Sequence, residues 1–250
     1  MTFAIVACDR GAGEVGVAVA SKVLAVGAFC PYVRGGVGAV SSQAYLNPYL
    51  GYDCVQLMAE GVAVGQAVDR LLAGDPGRDW RQLIAVDAAG QPRAYTGARV
   101  DPWCGDRVGD GFAVAGNILY GPPTLDAMAE TFAAQADLPL AERLLASLAA
   151  GDSAGGDRRG RQSAALLVGR RLELPYASLR VDDHPDPIVE LIRLYDLARD
   201  RALPLGARVS TTREPQGPPA WPENGKWPRC FGGCTFIYRC SALGWFSFLH

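Results

Sequence analysis

The first eight residues, Met1–Thr2–Phe3–Ala4–Ile5–Val6–Ala7–Cys8, alternate in direction without either face becoming polar. In an extended chain Phe3, Ile5 and Ala7 share one face, and Thr2, Ala4, Val6 and Cys8 share the other. A strand that is apolar on both sides is expected to be covered on both. Asp9–Arg10–Gly11–Ala12–Gly13 then reads as a turn, and Val15–Gly16–Val17–Ala18–Val19–Ala20 predicts an antiparallel partner. A hairpin sets the end of its second strand beside the start of its first, so Ser21 and Lys22 are expected near Thr2.

Pro31 to Ala44 reads as one further strand region, loosened by Gly35, Gly36 and Gly38. Asn47–Pro48 is a favourable helix start, with the helix running to about Ala59, and a second helix spans about Val64 to Ala73. Gln82–Asp87 and Arg93–Thr96 predict a hairpin, and Phe112–Ala115 a short strand leading into Gly116–Asn117. Helical spacing returns at Pro123–Ala134 and Leu140–Ala150. A polar loop, Gly155 to Gln162, precedes strands at Ser163–Val168 and Tyr176–Val181. Asp186–Pro187 opens a last helix with an apolar stripe of Ile188, Leu191, Ile192 and Tyr195. Hairpins outnumber strand–helix–strand units, which favours antiparallel sheets with helices gathered outside them. The expected fold is α+β: a four-layer αββα sandwich over residues 1–201. Periodicity disappears in 202–250, where an irregular, poorly ordered tail is expected.

A net charge of −2 argues against nucleic-acid or membrane-surface binding driven by bulk charge. No apolar run is long enough to span a bilayer. The start of the chain has no secretory pattern, and Cys8, Cys30, Cys54 and Cys104 are scattered as reduced thiols would be, so a cytoplasmic location is expected. Only His184 and His250 supply imidazoles, and Cys230, Cys234, Cys240 and His250 match no standard zinc spacing. No metal or cofactor is expected.

Thr2 is the candidate with most chemistry in it. Threonine is small enough for removal of Met1 to be expected, which leaves a hydroxyl nucleophile carrying its own base, an α-amine of ordinary pKa about 7.7–8.0. The plain alternative is a β-branched residue suited to a strand. Lys22 would lower the pKa of that amine if it lay beside it, or it is a solvated strand-end lysine. Asn117 would donate to an oxyanion, or it serves a turn. In the polar loop, Arg158, Arg159 and Arg161 suit a carboxylate or phosphate, and Asp157 or Ser163 suits the Thr2 amine; the alternative is an exposed basic loop. Gln43, Tyr45 and Asn47 stand at a strand-to-helix junction. Asp182, Asp183 and His184 read either as part of a triad or as a pre-helix cap.

Several of these stretches also resemble one family. Thr2–Phe3–Ala4–Ile5–Val6–Ala7, Gly16–Val17–Ala18–Val19–Ala20–Ser21–Lys22, Gln43–Ala44–Tyr45 with Asn47–Pro48, Gly116–Asn117, the run from Gly155 to Leu167, and Arg180–Val181–Asp182–Asp183–His184–Pro185 are similar to a bacterial family catalogued as domain of unknown function 1028. The resemblance covers about Met1 to Arg199. It implies the N-terminal-nucleophile (Ntn) hydrolase superfold, with Thr2 at the position of the processed nucleophile, and it supplies no substrate. Proteasome-like relatives have an Asp near the end of the second strand; this chain has Lys22 there.

The expectation is therefore an Ntn-type amidohydrolase acting on a small, anionic amide, with Thr2, Lys22 and Asn117 catalytic. Ser21, Gln43, Asn47, Asp157, Arg158, Arg161 and Ser163 are its expected substrate contacts. Its partners are a small-molecule substrate and, compatibly with the fold, further copies of itself. A second reading is a ligand-binding or scaffolding protein that keeps the fold without the chemistry. A third is a hydrolase built on Cys104 or Ser163 with His184.

Overall fold

The computed structural model describes residues 2–171 and 175–202. The tail expectation, and the Cys230, Cys234, Cys240 and His250 set, lie outside these residues.

The opening hairpin forms as its pattern requires: β1 (Thr2–Asp9) pairs with β2 (Glu14–Ser21) from Thr2↔Ser21 to Asp9↔Glu14. The expected single strand between Pro31 and Ala44 is instead a second hairpin, β3 (Pro31–Arg34) and β4 (Gly38–Ala44). Gly36 lies in its turn at φ +72°, a conformation that glycine adopts without strain. Helices α1 (Pro48–Ala59) and α2 (Val64–Gly74) follow, then the hairpin β5 (Arg81–Asp87) and β6 (Pro92–Thr96).

Strand β7 (Gly105–Gly109) has no counterpart in the sequence expectation. It is a half-exposed edge strand, and its anchors are polar: Arg107 Nε lies 2.8 Å from Asp126, and Asp106 accepts the Thr96 hydroxyl of the facing sheet at 2.6 Å. Apolar alternation cannot reveal such a strand. β8 (Phe112–Asn117) runs on through Asn117, two residues past the expected end. Helices α3 (Pro123–Ala134) and α4 (Leu140–Ser153), strands β9 (Ser163–Gly169) and β10 (Pro175–Val181), and α5 (Pro187–Leu197) complete the order.

One sheet has the order β10-β9-β2-β1-β8-β7 and the other β3-β4-β5-β6, both antiparallel throughout. Three apolar layers divide the strand faces between them. Phe3, Ile5 and Ala7 pack with Leu125, Met128, Leu144, Leu148 and Leu191 from α3, α4 and α5. Ala4, Val6, Val17 and Val19 meet Ala39, Ile84 and Val86 of the second sheet. Val40, Leu83 and Ala85, on that sheet's outer side, pack with Leu50, Cys54, Ala67 and Val68 of α1 and α2. The layers are thus helix, sheet, sheet, helix: the expected four-layer αββα sandwich.

The residues between the sheets are mostly alanine and valine, whereas phenylalanine, leucine and methionine fill the layer under α3 and α4. Small side chains let two sheets approach closely, and helices resting on a sheet leave hollows that larger ones fill. Strand β1 lies at the centre, bonded to β2 and β8 and covered above and below.

Candidate functional site

Register decides what surrounds Thr2. It stands opposite Ser21 of β2 on one side and Asn117 of β8 on the other, and Ser21 in turn stands opposite Ser163 of β9. Residues directly opposite on antiparallel strands project from the same face. Asn117, Thr2, Ser21 and Ser163 therefore form a polar row across one end of the large sheet. All four are buried, Thr2 to 6 % exposure. Thr2 Oγ1 lies 3.2 Å from Ser21 Oγ.

The second sheet answers with a pair of its own. Gln43 of β4 and Gln82 of β5 are opposite one another, both buried. Strand parity puts Gln82 on the face of Ile84 and Val86, and Gln43 on that of Ala39, so both amides point between the sheets. Gln43 Nε2 donates to Gln82 Oε1 at 2.8 Å and to the Ala115 carbonyl at 3.2 Å, and Ser41 donates to Gln43 Oε1 at 3.1 Å. Asn117 Nδ2 donates to Gln82 Oε1 at 2.9 Å. Gln82 Nε2 reaches Thr96 Oγ1, Gly116 O and Gly105 O at 3.0, 3.0 and 3.1 Å. Burying unpaired amides would be costly, so this satisfied network is what makes a polar end to the sandwich affordable.

The backbone is unusual around these residues. Ala44, directly after Gln43, has φ 71°, and Ile118, directly after Asn117, has φ 51°. Left-handed backbone is rare for alanine and an outlier for β-branched isoleucine, and such strain gathers at functional sites.

The polar loop closes one flank. The Asp157 carboxylate is buried and accepts the Lys22 and Arg159 amide N–H groups at 2.7 and 2.8 Å. A cleft of about 440 Å³ opens there, lined by Tyr120, Asp152, Asp157, Arg158, Arg159, Arg161 and Pro185, and by none of Thr2, Ser21 or Asn117. Lys22 Nζ donates to the Arg161 carbonyl at 3.0 Å, an anchor at the lip. The Arg161 guanidinium spans Asp152 of α4 at 2.8 Å and Asp186, just before α5, at 3.2 Å, tying the loop to both helices. Asn47 caps α1, accepting the Tyr49 amide at 3.2 Å, and the Ser163 hydroxyl accepts the Val26 amide at 3.1 Å while donating to the Val23 carbonyl.

The arrangement does not favour the third reading. Ser163 spends its hydroxyl on backbone, and His184 Nδ1 accepts the Asp186 amide at 3.0 Å. Burial, with Asp101 and Asp106 adding to it, pushes the Cys104 thiol up, away from the reactive thiolate. Among the described residues no three His, Cys, Asp or Glu side chains gather as a metal site, and no helix is long and apolar enough to cross a membrane.

The residues of this network that sequence reasoning missed are Gln82, Ser41, Thr96 and Asp106. Gln82 had a usable signal: a glutamine at an inward position of a strand whose next four residues are apolar.

A family model described as a family of unknown function, DUF1028, matches residues 2–191. This chain belongs to DUF1028. A DUF1028 protein of known crystal structure, SPO2555 from Silicibacter pomeroyi, is 34 % identical and superposes with a TM-score of 0.78 over 84 % of this chain and 92 % of that one. Weaker likenesses are to HslV from Trypanosoma brucei (10 % identity, TM-score 0.39, 67 % of this chain and 99 % of that) and to Anbu, an ancestral beta-subunit, from Yersinia bercovieri (12 %, 0.38, 85 % and 100 %). No curated protein matches the chain. The DUF1028 match spans β1 through the first turn of α5, so every member of the polar row lies within it.

Proposed function

We propose that this protein is an amidohydrolase whose nucleophile is Thr2, exposed by removal of Met1. The Thr2 hydroxyl oxygen bonds to the carbonyl carbon of a small amide, and its proton passes to the α-amine. The amine returns that proton to the leaving nitrogen as the C–N bond breaks, giving a threonyl ester and a free amine product. Water, deprotonated by the same α-amine, then cleaves the ester. Asn117 donates to the oxyanion, a contribution of about 3–4 kcal/mol for a well-placed donor. Ser21 hydrogen-bonds the nucleophilic oxygen. Lys22 acts through its charge from the lip of the site, favouring the neutral amine. Arg158 borders the neighbouring cleft and meets an anionic substituent there, while Arg161, held by Asp152 and Asp186, shapes its wall.

One observation carries this reading. Thr2 is the first residue of the central, doubly covered strand, flanked in register by a hydroxyl and an amide. The test is a panel of N-acyl amino acids and their neutral amide counterparts. Wild type is expected to hydrolyse members with a free carboxylate, and Thr2→Ala none. Hydrolysis undiminished in Thr2→Ala ends the proposal.

A further inference from the structure

Gln82 is fully buried, belongs to the opposite sheet from Thr2, and uses both ends of its amide. Its direction is settled by groups that have no choice. Gly105 O and Gly116 O are backbone carbonyls and only accept. The Thr96 hydroxyl gives its hydrogen to Asp106 Oδ2 at 2.6 Å, so its oxygen accepts from Gln82. Three acceptors on one side demand the NH₂ end of Gln82 there. The flipped amide would set Oε1 against all three.

The consequence passes across the gap between the sheets. With its NH₂ end fixed, Gln82 presents Oε1 to Asn117 and Gln43, and both must answer with N–H. Asn117 thus has its Nδ2 end held against Gln82. One N–H is used there; the second N–H and Oδ1 remain for the face that Asn117 shares with Thr2. An asparagine free to flip would present nitrogen and oxygen alternately, and half of its orientations would aim a carbonyl at a developing oxyanion.

We infer that Gln82 is a positioning residue for the Thr2 reaction. It acts through Asn117, fixing which end of that amide serves the site, and it is itself oriented by Asp106, Thr96 and two backbone carbonyls. This rests on the reading of Thr2 as nucleophile.

The experiment uses the full chain and a β-lactone probe, whose ring the Thr2 hydroxyl opens to a stable ester read by intact mass. The maximal acylation rate and the half-saturating probe concentration are measured separately. Asn117→Ala is expected to lower the rate about 100- to 1000-fold, the range for losing one oxyanion donor. Gln82→Met is expected to lower it about 10- to 100-fold, through a disordered Asn117 rather than a lost one, with half-saturation moved less than twofold. The double variant is expected to be no slower than Asn117→Ala alone, because residues acting through one group do not add. Losses that multiply in the double variant, or a full rate in Gln82→Met, overturn the inference. Should Gln82→Met fail to fold, Gln82→Leu takes its place under the same criteria, and the exchange measurement below tests the held Asn117 amide on the wild type alone.

A second readout separates this from the reading beneath it. Asn47, Asn117 and Asn224 are the only asparagines, so protein labelled with ¹⁵N-asparagine gives three side-chain amide pairs, that of Asn117 identified by its absence in Asn117→Ala. Its hydrogens are expected to exchange slowly with solvent in wild type and quickly in Gln82→Met. A probe that never labels Thr2, with Asn117 still protected by Gln82, refutes the nucleophile and leaves the amide geometry standing. A probe that labels Thr2, with Asn117 exchanging fast in wild type, refutes the positioning role alone.

Discussion

Replacing Thr2 by valine separates what this residue does for the fold from what it does for the site. Valine keeps the β-branched shape and exchanges the hydroxyl for a methyl. The structure gives Thr2 Oγ1 one close partner, Ser21 Oγ at 3.2 Å, long for a hydroxyl pair. Losing a neutral hydrogen bond costs about 0.5–1.5 kcal/mol. Burying a methyl where a hydroxyl stood returns about 0.8 kcal/mol. The two nearly cancel, leaving a change within about 1 kcal/mol, or roughly 2–4 °C in melting temperature for a domain of this size. The adjacent residue behaves differently. Phe3 is 1 % exposed in the layer under α3 and α4, and Phe3→Ala is expected to cost about 3–5 kcal/mol. Calorimetry on both variants, with β-lactone acylation on the same samples, makes the comparison. Thr2→Val should melt near wild type and take no label; Phe3→Ala should melt far lower. A Thr2→Val protein that loses ten degrees or more, or that still labels at wild-type rate, would show that this threonine is structural and refute the reasoning.

Four further outcomes are expected. Asp75 and Arg81 form a partly buried pair at 2.8 Å, and the hydrogen bond from Arg81 above all holds the Asp75 carboxyl below its usual range. A depressed carboxyl stabilises the fold above its ordinary pKa of about 3.9 and loses that contribution as pH falls through the lower, folded value. The gap in stability between wild type and Asp75→Asn should therefore be constant from neutral pH to about 5 and narrow below about 4 in melts run as a pH series. A Cβ on Gly51 would lie 2.2 Å from the Tyr32 ring, so Gly51→Ala should lower stability by about 1–3 kcal/mol in denaturant titration. Burial pushes the Cys30 and Cys54 thiols up to about 12, so both should resist iodoacetamide in the native protein at pH 7.5 and react fully once it is unfolded, as read by peptide mass. His184→Ala should leave hydrolysis and acylation rates unchanged in the same assays, since its imidazole serves the turn before α5.

The parts of this fold that are legible in the sequence are those governed by local pattern. Parity along β1 assigned Phe3, Ile5 and Ala7 to one layer and Ala4, Val6 and Cys8 to another, and they lie so. The hairpin turn sufficed to bring Ser21 opposite Thr2. Asn117 and Ser163 come from strands more than a hundred residues away, and their entry into the same row depends on sheet order, which no local period encodes. Where side chains end up is less legible still. Lys22 and Arg161 carry charge in the right segment, but the carboxylates and carbonyl that hold them belong to α4, α5 and the loop itself. Gln82 escaped attention because a glutamine at the start of a strand passes for a surface residue until the facing sheet is known. β7 escaped because Gly-Asp-Arg-Val-Gly is held at a sheet edge by polar contacts.

The account turns on the state of the N-terminus in the folded, purified protein. The decisive measurement is the mass of the intact chain and of its N-terminal peptide, before and after reaction with a β-lactone. The account predicts a chain beginning at Thr2, with the added mass confined to the peptide that starts there. Met1 retained on protein that still hydrolyses amides, or an adduct carried by Cys104, Ser163 or any residue other than Thr2, would contradict it.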